Sequence, residues 1–241
     1  MNAAVRPLTL MGMSGAGKST FAARLKEWGW QVYECDYEIG TRFLKDEIEQ
    51  TLQTFVTAEN YMSCLARYIG KLGDPEQGGL PIEEFRRRQQ AYIDAECKSI
   101  ERFLDQSPTG KVVCDSTGSL CEIKDQALIS RLGQATLFVY LETGPSDQEI
   151  LLKTAQEHPK PLFIPPGLLL NCVESYLEAH QLEHANQILP DDFARHVFPR
   201  LFHKRLPKYR KLTELYGLTM AAGEEMDKLS EESFVRILMT E

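Results

Sequence analysis

Nine residues, Gly12-Met13-Ser14-Gly15-Ala16-Gly17-Lys18-Ser19-Thr20, stand between a short apolar run, Leu8-Thr9-Leu10-Met11, and a segment in which Phe21, Leu25 and Trp28 share a helical face. They satisfy the pattern G-x-x-x-x-G-K-[ST], and strand, glycine loop, helix is the order that the pattern requires. Glycines at 12, 15 and 17 let backbone N–H groups turn inward around an anion in dihedrals that a side chain penalises. Ser14, Ala16 and Thr20 complete that backbone cradle. Lys18 adds a point charge, and Ser19 offers a hydroxyl to Mg2+ at the positive end of the helix dipole. The ligand expected from these residues is a nucleoside triphosphate.

Four further runs read as strands: Gln31 to Cys35, Lys111 to Asp115, Thr136 to Leu141 and Gly217 to Ala222. Helical patterns rather than tight hairpins separate them. The expected fold is therefore α/β, a five-stranded parallel sheet with helices on both faces. In such sheets ligands gather beyond the carboxyl ends of the strands. Two long interruptions, residues 41–110 and 158–204, are expected to be helical insertions above that edge. Proline and glycine near 70–81 split the first, and His158-Pro159-Lys160-Pro161 opens the second. The expectation is one domain over residues 1–241, its core in 5–40, 111–157 and 205–241.

A formal net charge of −8 argues against nucleic acid or an anionic membrane as partner. No stretch is long and apolar enough for a membrane span, and no export signal is visible, so a cytoplasmic monomer or dimer is expected. Six cysteines without C-x-x-C pairs read as reduced thiols. His180 and His184 have ligand spacing but no evident third ligand, and read as exposed polar residues.

Strand ends supply the acids. Asp36, after the second strand, is placed to accept a proton from an attacking hydroxyl, and Glu34 shares its side of the strand. Glu34 is the candidate for the magnesium hydration shell. Asp115 ends the third run, where P-loop proteins keep an acid for magnesium. Ser116, Thr117 and Gly118 follow in a hydroxyl-rich turn that could hold substrate.

Taken together, these segments resemble the shikimate kinase group of the nucleoside-monophosphate-kinase-like P-loop kinases. The loop is similar nearly residue for residue, and Glu34-Cys35-Asp36-Tyr37-Glu38-Ile39 resembles the family's Asp-x-Asp-x-x-Ile segment. That resemblance implies that Asp36 binds substrate and acts as base. Phe85-Arg86 resembles the family's Phe-Arg, and Arg205-Leu206-Pro207-Lys208-Tyr209 its Arg-x-Pro-x-Tyr helix, which implies that Arg86 and Arg205 hold a substrate carboxylate. Lys160-Pro161-Leu162 stands where the family has Arg-Pro-Leu, and Lys153 where a lid arginine covers adenine. Ser116-Thr117-Gly118 replaces a Gly-Gly-Gly turn, and both insertions exceed what the family implies.

The resulting expectation is an ATP- and Mg2+-dependent kinase for a hydroxyl of a small, anionic metabolite. Lys18, Asp36 and Lys160 are the catalytic candidates. Shikimate leads among acceptors, with a nucleoside or sugar-like acceptor next. An expectation of another class is a nucleotide-dependent switch with slow hydrolysis.

Overall fold

A computed structural model describes residues 5–223, 226 and 228–239. Five strands form one parallel sheet: β1 (Leu8–Met11), β2 (Gln31–Glu34), β3 (Val112–Asp115), β4 (Leu137–Glu142) and β5 (Gly217–Ala221). Their order is β2-β3-β1-β4-β5. With β1 at the centre, the chain leaves it between β3 and β4, so the loop after Met11 opens at the point where the strand order reverses. All five strand expectations hold, and the fold is that of a P-loop NTPase.

Between the strands run α1 (Lys18–Glu27), α2 (Cys35–Glu38), α3 (Lys45–Leu52), α4 (Tyr61–Ile69), α5 (Ile82–Asp105), α6 (Gln126–Ala135), α7 (Pro145–Glu157), α8 (Pro166–His180) and α9 (Pro190–Tyr216), with α10 (Glu231–Leu238) after β5. The chain forms two compact units. A sheet unit comprises residues 1–36, 96–148 and 205–241, and a helical unit residues 37–95 and 149–204.

Within the sheet unit, alternation along the strands sorts residues to two faces. Leu8, Leu10, Val113, Val139 and Leu141 pack with Phe21, Ala22 and Leu25 of α1 and Phe234 of α10. Phe234 meets Phe21 edge-on at 5.1 Å and lies 6.0 Å from Trp30 and 6.3 Å from Trp28. On the opposite face, Tyr33 packs on Phe103 of α5, Phe138 on Tyr216 and Tyr140 on Tyr209, the last two from the end of α9. Helices therefore cover both faces, as the two-period patterning requires. Asp125 caps α6 by accepting from Leu128 N at 3.0 Å.

The helical unit has two apolar clusters of its own. One gathers Ile48, Leu65, Tyr68, Tyr92 and Phe163, and the other Phe85, Leu169, Tyr176, Phe193 and Leu201. Its ions are settled locally. Arg88 donates to Glu84 at 2.6 Å and to the Tyr68 carbonyl at 2.8 Å, while Glu47 accepts from Tyr68 and from Arg87.

Candidate active site

The site is built at the C-terminal end of β1. Gly12 has φ 150°, and a Cβ there would come 3.0 Å from the Leu141 carbonyl. Gly17 precedes α1 at φ 86°, in the left-handed region that only glycine enters freely. No side chain caps the amides that open α1, and its first turn carries no acid. That leaves the positive end of its dipole to an anion. Ser14, Gly15, Gly17, Ser19 and Thr20 are exposed, whereas Ala16 is buried and offers its backbone alone. The Lys18 side chain is buried and donates to the carbonyls of Gly12 at 2.9 Å and Met13 at 3.1 Å. Burial lowers its pKa, while Asp115 and then Asp36 oppose that shift by attraction.

Three acids share the same sheet edge. Glu34 ends β2 in register with Asp115 of β3, and Asp36 lies in α2 directly after β2. Burial pushes Asp115 up to about 6, against the pull of Lys18 and a hydrogen bond from Ser19. Its Oδ1 is buried without a hydrogen-bond partner among the described residues. A buried orphan acceptor beside a hydroxyl and a second carboxylate is a hard-oxygen donor set that suits Mg2+, which takes few protein ligands and fills its shell with phosphate and water. Among the described residues there is no group of three His, Cys, Asp or Glu side chains that could hold a metal ion alone.

The turn after β3 is buried. Ser116 donates its hydroxyl to the Leu10 carbonyl at 2.6 Å. Thr117 donates to Glu96 of α5, and Ser119 does so at 2.6 Å. The hydroxyls that sequence reading assigned to substrate are thus engaged within the protein. Gly118 lies against the phosphate loop, and its carbonyl accepts from Tyr209 Oη at 2.6 Å. Arg205 of α9 is buried in the same unit. Its Nε donates to Glu122 at 3.3 Å, and Lys208 pairs with the other oxygen of that carboxylate. Glu122 is itself only 3% exposed, so a buried acid orients the arginine.

Lys18, Ser19, Glu34, Asp36, Asp115, Ser116, Thr117, Gly118 and Arg205 all belong to the sheet unit. Arg86, Lys153 and Lys160 belong to the helical unit. There Arg86 is exposed and meets Glu83 at 3.3 Å, Lys153 is exposed with Glu157 at 3.9 Å, and Lys160 is exposed at a shallow pocket lined by Leu72, Phe85 and Phe193.

Sequence reading missed Glu96 and Glu122. Glu96 was legible in principle, because Tyr92, Ser99, Ile100 and Phe103 place it on the buried side of α5, where an acid is out of place.

No family model matches the sequence, and no curated protein does. Among solved structures, the chain is similar to shikimate kinase from Acinetobacter baumannii in complex with shikimate, at 15% identity and a TM-score of 0.47 over 98% of this chain and 94% of that one. It is also similar to shikimate kinase from Bacteroides thetaiotaomicron, at 17% identity and a TM-score of 0.46 over 98% of both chains. A gluconokinase from Sinorhizobium meliloti 1021 matches at 15% identity and a TM-score of 0.28, over 83% of this chain and 94% of that one.

Proposed function

We propose that this protein is a small-molecule kinase that moves the γ-phosphoryl group of ATP to a hydroxyl of a small anionic metabolite. The observation that carries the reading is the buried Lys18 in its glycine loop, flanked by Asp115 with its orphaned Oδ1 and by Asp36. A structural salt-bridge cluster would satisfy that oxygen internally. A site awaiting a metal and a phosphate leaves it open.

Mg-ATP, when bound, supplies the transferable phosphoryl group and part of the charge neutralisation. Residues 12–20 cradle the phosphates through backbone amides, and Lys18 balances their charge. Ser19, Asp115 and Glu34 would hold Mg2+ and its water shell. Asp36 orients the acceptor hydroxyl and takes its proton. Arg205, oriented by Glu122, meets an acidic group of the acceptor, with Arg86 as a second anchor. Ser116, Thr117 and Gly118 contribute backbone groups, since the hydroxyls of Ser116 and Thr117 are engaged elsewhere. The resemblance further assigns Lys160 to the phosphoryl group in flight and Lys153 to the base.

The test is ADP release from Mg-ATP, alone and against hydroxylated acids, sugars and nucleosides that include shikimate, with Lys18→Ala as the blank. Stimulation by one acceptor class is expected. A low rate that no acceptor changes would overturn the kinase reading in favour of a nucleotide switch.

A further inference from the structure

Glu96 takes no part in the steps above, yet its side chain is fully buried. Its Oε1 accepts from Thr117 and its Oε2 from Ser119 at 2.6 Å. The two hydroxyls lie 2.9 Å apart, and Ser119 N donates to Thr117 Oγ1 at 3.0 Å. One carboxylate therefore closes a three-residue turn from both ends. The residue in the middle is Gly118. A Cβ built on it would stand 3.3 Å from Ser14 N of the phosphate loop and 3.9 Å from Nη1 of Arg205.

We propose that Glu96 is a positioning residue for phosphoryl transfer: by clamping Thr117 and Ser119 it holds Gly118 against Ser14 on one side and Arg205 on the other, so that one buried group sets nucleotide and acceptor geometry together. The proposal rests on the kinase reading of this site for its acceptor half alone. Burial of a carboxylate among hydroxyl donors is costly, and a group kept at that cost is fixed in place by its bonds. The charges that face it come from several elements: Asp36 after β2, Lys18 from α1, and Arg205 and Tyr209 from α9. Burial pushes Glu96 up to about 7, its Ser119 and Thr117 bonds pull it down, Asp36 raises it and Arg205 lowers it.

The experiment compares Glu96→Ala, Glu96→Gln and the milder Ser119→Ala in the full chain. Amide hydrogen exchange is followed in the peptide spanning residues 12–20, together with Mg-ADP affinity and the KM and kcat for whichever acceptor stimulates turnover. Glu96→Ala should speed exchange in the phosphate loop at least tenfold, weaken Mg-ADP about fivefold and raise acceptor KM more than it lowers kcat. Glu96→Gln, which still spans both hydroxyls, should restore exchange and KM to within about threefold. Ser119→Ala should move each readout the same way by less, and it carries the test if Glu96→Ala does not fold. Exchange in residues 12–20 that is unchanged in a folded Glu96→Ala or in Ser119→Ala overturns the clamp. Because exchange needs no ligand, it decides the clamp even if no acceptor is found and the kinase reading fails.

Discussion

Glu84 and Glu96 lie on the same helix, α5, one in the helical unit and one in the sheet unit, and their environments drive them in opposite directions. Hydrogen bonds, first from Arg87 and then from Arg88, hold Glu84 down at about 2 against partial burial. Burial pushes Glu96 up to about 7, against its two hydroxyl donors. The contrast extends beyond this pair. In the helical unit, burial would raise Glu47, but bonds from Tyr68 and Arg87 outweigh it and leave it lowered. In the sheet unit, burial wins at Asp115, which reaches about 6. Acids matched to arginines by their own neighbours are held in the charged form, whereas burial without that match favours the neutral form.

The two kinds of acid also couple to pH with opposite sign. Glu96 and Asp115 have folded pKa values above those of the unfolded chain, so the folded sheet unit binds more protons between about pH 4 and 7. Their contribution to stability is present at the acid end and declines as pH rises through about 7. Glu84 is depressed, so its contribution is present above about pH 4 and is lost as pH falls toward 2.

Four substitutions would break or sharpen this contrast. Lys18→Ala should lower turnover by about 10³-fold, or about 4 kcal/mol, while leaving the urea midpoint of the ligand-free protein nearly unchanged. The buried ammonium is already penalised by its surroundings, so its removal relieves a cost. A large loss of stability would assign Lys18 to the fold. Arg205→Ala leaves Glu122 buried with Lys208 as its remaining cation, and should cost about 4 kcal/mol in urea unfolding as well as raising acceptor KM. A loss under about 1 kcal/mol would show that Glu122 has no need of it.

Glu96→Gln removes the charge without removing the clamp. It should stabilise the protein at pH 8 by on the order of 3 kcal/mol and do little at pH 5, as read from thermal midpoints at both values. Equal shifts at the two values would contradict the raised pKa. The smallest effect is expected from Glu84→Gln in the half-exposed arginine network, about 0.5 kcal/mol at pH 7 and less as pH nears 2.

The sheet was legible because its three central strands, β3, β1 and β4, are short, largely apolar runs and the loop after β1 carries its chemistry in consecutive residues. Asp36 and Asp115 were legible for the same reason, since strand ends announce the edge where ligands gather. Pairing of distant residues was not legible. Residues 96–105 were read as part of an insertion, yet Ser99 and Phe103 pack on Tyr33 in the sheet unit and carry Glu96 with them. Ser116 and Thr117 read as free hydroxyls because their partners, Leu10 and Glu96, are 106 and 21 residues away. Phe85-Arg86 reads as a substrate motif from its resemblance alone; Phe85 is buried in a helical cluster and Arg86 stands exposed beside Glu83.

The placement of the aromatic residues has an optical consequence. Both tryptophans of the chain, Trp28 and Trp30, pack on Phe234 in the sheet unit, and the indole N–H of Trp30 is buried without an acceptor among the described residues. Excited at the red edge, intrinsic fluorescence sees the sheet unit alone, while the helical unit, which has no tryptophan, stays dark. Ellipticity sees the helices of both. Superimposed melting curves from the two signals would report a single cooperative body, and separated ones would give each half its own transition without a label or a truncation.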